Sequence, residues 1–198
     1  MSVENLDNRG GELVTLVNTL ETDLNTAEAA IDVLEAERDT MSAGTGISTG
    51  TGTIHKTRVL NTADVFETVI AIDLTGLRST AAGDIIGVDG TSLDCHIGQI
   101  TAAKNGTILY GTVTCLEAPA GGDPDIDLYS ATESTGSEDD AISGLTETQL
   151  MNSGDHTIGK VTTLTAVPAA DEYLYLVAQA TTDADYTAGK FEIRLIGT

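Results

Sequence analysis

The chain has 198 residues, enough for one ordinary domain and an appendage, and it carries 31 Asp and Glu against 9 Lys and Arg, a net charge of −22. That balance excludes sequence-independent binding to nucleic-acid phosphates, which needs clustered cations, and a polybasic membrane anchor. Trp is absent and aromatics are few, which argues against a base-stacking groove. No apolar run reaches the roughly 18 residues of a membrane span, and the start, Met-Ser-Val-Glu-Asn-Leu-Asp, lacks the regions of a secretory leader.

Residues 1–43 contain no Pro and no aromatic and are rich in Leu, Ala, Glu and Asp. Leu6, Leu13, Leu20, Ala27, Leu34 and Met41 recur every seven residues, and Val17, Leu24 and Ile31 form a second row four positions on. This is the 3-4 spacing of a coiled coil, with Leu13, Val17, Leu20, Leu24, Ala27, Ile31 and Leu34 as its seam. The spacing predicts a rod of roughly 45 Å from Gly11 to Met41, starting at Asn8 or at Gly10-Gly11. An amphipathic helix lying on its own globular domain is the alternative. Val17 and Ile31 at a lean toward a dimer, whereas Leu24 at a and Ala27 at d blunt that preference. The flanking e and g positions carry Glu21, Asp23, Glu28, Glu35 and Glu37 and no Lys, so parallel copies face like charges.

The next segment, residues 44–53, lies within a Gly/Thr run that cannot extend the helix, each Gly costing about 1 kcal/mol against Ala, and is expected to be a linker. Its Gly46-Ile-Ser-Thr-Gly50 fits the nucleophile-elbow pattern. That motif needs a strained turn between a strand and a helix, and Ser48 stands after a helix and before strands, so the match reads as chance.

Residues 54–198 read as β. Segments 54–60, 65–74, 93–101, 107–116, 158–167, 173–180 and 191–196 are rich in Val, Ile, Thr, Leu and Tyr, with turn residues between them. They predict an antiparallel β-sandwich of jelly-roll type. Residues 117–155 hold ten acidic residues and no Lys or Arg, and are expected to form a long acidic surface loop where a partner could be met.

Within this domain Cys95 and Cys115 are the only cysteines. A three-residue hairpin loop at Lys104-Asn105-Gly106 would set them opposite one another, whereas a two-residue Asn-Gly turn would send them to opposite faces. A disulfide and a pair of reduced, buried thiols both stand, the second being usual for intracellularly made proteins. Asp123, Asp125 and Asp127 alternate like the start of a calcium loop, but Leu128 and Ser134 occupy the positions that need Gly and a bidentate Glu. They are candidates for a weak cation site or for a solvated acidic loop. His55, His96 and His156 lack zinc spacing. Asn105-Gly106-Thr107 matches a glycosylation sequon and reads as a turn. No acid and base pair for glycoside hydrolysis can be nominated, no catalytic residue is assigned, and no cofactor is expected.

The run Tyr173-Leu-Tyr-Leu-Val177, the segment Asp185 to Gly197, and the pieces Ala82-Gly-Asp-Ile-Ile-Gly87 and Ala118 to Leu128 resemble virion structural proteins of tailed phages, of the kind infecting marine and freshwater bacteria including cyanobacteria. The likeness covers the β domain, about three quarters of the chain. It implies a non-enzymatic capsid decoration, cement or head-fibre protein, commonly a homotrimer, made in the host cytoplasm and placed on the capsid surface against the major capsid protein. The alternative is a tail or head fibre module recognising a host-surface glycan. Neither implies a nucleic-acid or membrane partner.

Overall fold

A computed structural model describes residues 3–38, 41–90 and 92–198, with side chains of the first helix described over 11–28. The chain divides into two compact units, Met1–Arg38 and Asp39–Thr198. The first is one helix, α1 (Val3–Arg38), 36 residues long and so about 54 Å. It runs through Gly10 and Gly11, so the expected start at Asn8 or the Gly pair is corrected. Met41, expected to extend the heptad row, is instead buried in the β unit's core.

The second unit is mainly β. Its strands are β1 (Ile54–Thr62), β2 (Val65–Asp73), β3 (Arg78–Ser79), β4 (Gly98–Gln99), β5 (Ile108–Ala120), β6 (Ile126–Ala131), β7 (Glu147–Met151), β8 (Val161–Thr163), β9 (Tyr173–Ala178), β10 (Ala184–Asp185) and β11 (Ala188–Gly197). Two single helical turns, α2 (Thr45–Ser48) and α3 (Ala102–Asn105), interrupt them. One sheet has the order β1-β2-β11-β5-β8 and another β4-β9-β6-β7, with β10-β3 as a small ribbon, and every pairing is antiparallel. Alternation places Ile70 and Ile72 of β2, Val113 and Cys115 of β5 and Phe191, Ile193 and Leu195 of β11 on the inner face of the first sheet, in one core with Ile126, Leu128, Leu174 and Leu176 of the second. β1 and β2 meet through Ala63-Asp64, both at positive φ (52° and 66°), as the two-residue hairpin turn that matches strand twist requires.

The expected linker is built into the unit. Ile47 on α2 is fully buried, and Gly44 and Gly46 donate their N–H groups to the carbonyls of His96 and Asp94. A Cβ at Gly46 would overlap the Cys95 sulfur, so this glycine serves close packing. The expected acidic loop 117–155 is likewise corrected. It contains the end of β5, all of β6 and β7, and a 3₁₀ turn at Ile142–Gly144. Strand structure covers only β4 within 93–101 and β8 within 158–167.

No hairpin joins residues 93–101 to β5. Asn105 is fully buried; its Oδ1 accepts from the Thr101 N–H at 2.9 Å and its Nδ2 donates to Thr68 Oγ1 at 2.8 Å. Those bonds fix α3 where a tight turn was expected, and β5 pairs with β11 and β8 instead.

Candidate functional site

The residues predicted to form a seam are exposed on α1 wherever their side chains are described. Leu13, Leu20 and Leu24 are about 60% exposed and Val17 43%; Ala27 is also exposed. Ile31 and Leu34 lie on the helical backbone, but their side chains fall outside the described residues. Val14 and Leu16, at the e and g positions, are 60% and 57% exposed and widen the stripe. Sequence reasoning restricted to a and d missed them, although the signal was present. On the opposite face the hydroxyls of Thr15, Thr19, Thr22 and Thr26 donate to the carbonyls four residues back at 2.8–2.9 Å, which completes a polar side.

Asp123, Asp125 and Asp127 do not gather as a cation site. Among the described residues no group of three or more His, Cys, Asp or Glu side chains is placed to hold a metal. The Asp123 carboxylate is fully buried and accepts the N–H groups of Asp125 and Gln179, both at 2.9 Å, and of Ala180. Its own N–H donates to Ser79 Oγ and its carbonyl accepts from the Tyr186 hydroxyl. Asp127, also buried, accepts from Gln149 Nε2 at 2.9 Å and from the Ser153 N–H at 3.2 Å. Burial pushes its carboxyl up to about 6, and the Asp125 and Asp123 charges add to that. The carboxylates of Asp123 and Asp127 organise backbone, which neither a solvated loop nor an ion site would require of them.

Beside them lies a pair the sequence did not announce, Ser153 Oγ and His156 Nε2 at 2.9 Å. His156 Nε2 is also 2.8 Å from the Ile126 carbonyl. A carbonyl only accepts, so Nε2 carries the proton and cannot take one from the serine. Ser153 Oγ in turn donates to the Gly154 carbonyl at 3.0 Å. The pair is therefore not poised as nucleophile and base. Burial lowers the His156 pKa, and its ring meets Phe191 edge-on at 4.8 Å. Lys160 Nζ ties the loop by donating to the carbonyls of Ser153, Gly154 and Asp155.

Cys95 and Cys115 are free and buried, and they lie on segments that do not pair, so the candidate disulfide is corrected. Burial pushes the Cys95 thiol up to about 12 and raises Cys115 as well, which makes both poor nucleophiles. Ser48 of the elbow-like motif sits on α2 at the wall of a cleft of about 540 Å³ bounded also by Met41, Thr53, Ile54, His55 and Lys56. The turn there follows no strand.

Among the described residues no helix is long and apolar enough to cross a membrane. Comparisons with protein-family models, with curated proteins and with solved structures found no match.

Proposed function

We propose that this chain is a non-enzymatic structural protein that self-associates through α1, serving as a phage capsid decoration, cement or head-fibre protein bound to the major capsid protein on the virion surface. The observation that carries the self-association is the stripe of Leu13, Val14, Leu16, Val17, Leu20 and Leu24, exposed on one side of a helix. Burying each such side chain is worth roughly 1.5–3 kcal/mol. A stripe that spills from a and d onto e and g is broader than a two-stranded seam, and this favours three or more strands, the trimer first. The virion assignment rests on the resemblance in the β domain.

The strand order is the second support. Setting aside β1 and the β3–β10 ribbon, the sheets read β2-β11-β5-β8 and β4-β9-β6-β7. In chain order β2, β4, β5, β6, β7, β8, β9 and β11 change sheet at every step except from β6 to β7. That order supports reading the unit as an eight-stranded jelly roll with β1 added at one edge. Such rolls recur in viral capsid and lectin domains, an analogy of fold and not of site. The lectin half of that analogy is what favours the second reading, a fibre module that recognises a host-surface glycan.

Changing Leu20 and Leu24 together to Asp is expected to abolish association through α1 in light scattering of the full chain, while the circular dichroism of the β unit stays unchanged. An unaltered mass would overturn the self-association. Cryo-electron microscopy of particles with and without the protein tests the rest. Symmetric density on the capsid lattice is expected; density at the tail alone would favour the glycan-binding module.

A further inference from the structure

The outward face of the sheet β1-β2-β11-β5-β8 carries balanced charge in a strongly acidic chain. Register places Lys56 and Arg58 of β1, Lys190 and Arg194 of β11, and Glu67 and Asp73 of β2 on it, with Glu192 and Glu117 bonded to Arg194 and Lys190 across the same face. Four of the nine Lys and Arg and four of the 31 Asp and Glu therefore lie here, and the whole net charge of −22 falls on the rest of the chain. Lys190 is paired with Asp73 and Glu117, and Arg194 with Glu67 and Glu192. Among the described residues Lys56 and Arg58 form no ion pair.

The same face carries Ile54, Leu60, Val65, Tyr110, Leu116 and Val161, between 41% and 60% exposed. Arg58, Val69 and Arg194 share one cross-strand row, and Val69 is only 6% exposed, as expected when arginine stems lie over a valine. At one end an apolar depression of about 120 Å³ opens between Ile54, Ala71, Leu116 and Phe191, with Asp73 and Lys190 beside it. It has the size to take one aliphatic side chain. At ~4.8 Å between strands and ~3.3 Å per residue the face projects about 600 Å², of the order of the roughly 800 Å² per partner in a stable interface.

We propose that this face is a contact between β units, seating the acidic surface of a second copy of the chain, separate from the α1 seam. Two copies at −22 each repel wherever acidic surface meets acidic surface. Here one partner is neutral, partly apolar, and offers two uncompensated cations to the other's carboxylates, so contact adds attraction where other approaches add repulsion.

The test uses the full chain carrying Leu20→Asp and Leu24→Asp, which silences the α1 seam. Sedimentation velocity should still show mass rising with concentration, and acetylation of Lys56 should slow as the sample is concentrated. Adding Arg58→Glu and Leu116→Glu should weaken that association at least about 10-fold, the effect of losing roughly 1.4 kcal/mol; Val161→Glu, across the face, is an independent second variant. Each is accepted only with an unchanged urea midpoint. A seam-silenced chain that stays monomeric at all concentrations overturns the contact, as does association indifferent to both face variants. Shielding of Lys56 that vanishes with the two α1 substitutions would assign the face to α1 and overturn it equally. A failure of the α1 seam reads differently, as association unchanged by Leu20→Asp and Leu24→Asp yet lost with the face variants.

Discussion

One carboxylate, that of Asp123, accepts three backbone N–H groups from two separate loops. Hydrogen bonds to a charged group contribute about 1.5–3 kcal/mol each, and leaving buried donors without an acceptor costs more than the bond was worth. Asp123→Ala is expected to cost on the order of 3 kcal/mol in urea denaturation, with Asp123→Asn closer to wild type because it keeps one oxygen. Glu138 gives the opposite kind of test. Its carboxyl is pushed up to about 7 by burial and by the Asp139 and Asp89 charges, against about 4.3 in an unfolded chain. The folded state therefore holds the proton more tightly. Glu138 contributes stability that is full below about pH 4.3 and is lost as pH rises through 7. Asp127 acts the same way around 6. His156, whose pKa is lowered, has the reverse sign: it costs stability as pH falls below the unfolded value near 6.5. Urea midpoints of the wild type are expected to fall between pH 6 and 8, and Glu138→Gln should flatten that fall; a wild-type slope retained in the variant would remove Glu138 as its cause.

The two glycine-bearing stretches at the level of elements predict opposite outcomes. Gly11 sits inside α1 with nothing within 4 Å of where a Cβ would stand, so Gly11→Ala should raise helix stability by about 1 kcal/mol. Gly46 is wedged against Cys95 and the Leu93 carbonyl, so Gly46→Ala should lower β-unit stability by about 1–3 kcal/mol. Thermal melts by circular dichroism distinguish these outcomes, and a neutral Gly46→Ala would restore the linker reading. Composition could not separate the two glycines, because the partner that needs Gly46 small lies some fifty residues away in sequence. Period-seven Leu made α1 legible, alternation made β1, β2, β5 and β11 legible, and an unbroken apolar run did so for β9, since those signals are local. Asn105-Gly106 misled for the opposite reason: the Thr68 hydroxyl that claims Asn105 comes from β2. The acidic run 117–155 read as solvated because carboxylates usually are, while Asp123 and Asp127 are used as internal acceptors for backbone N–H groups.

For the whole molecule, charge and apolar burial pull in different directions. Residues 10–37 contain no Lys or Arg, and Glu21, Asp23 and Glu28 flank the stripe that association through α1 would bury. Apolar burial is almost indifferent to modest salt, whereas repulsion between exposed carboxylates is screened over about 30 Å at 0.01 M and about 10 Å at 0.1 M. Association through α1 should therefore strengthen as ionic strength rises between those limits, and in a chain whose β face is blocked by Arg58→Glu and Leu116→Glu the weight-average mass in sedimentation should increase. Replacing the flanking acids by Glu21→Gln, Asp23→Asn and Glu28→Gln should give the high-salt mass already at low salt. A triple variant that still needs salt would move the repulsion away from α1 and onto the acidic surface of the β unit. The stability of that unit, followed by tyrosine fluorescence, should respond to pH through Glu138 and Asp127 but stay unmoved by the three α1 substitutions, because Glu138, Asp127 and the buried core all belong to the unit Asp39–Thr198.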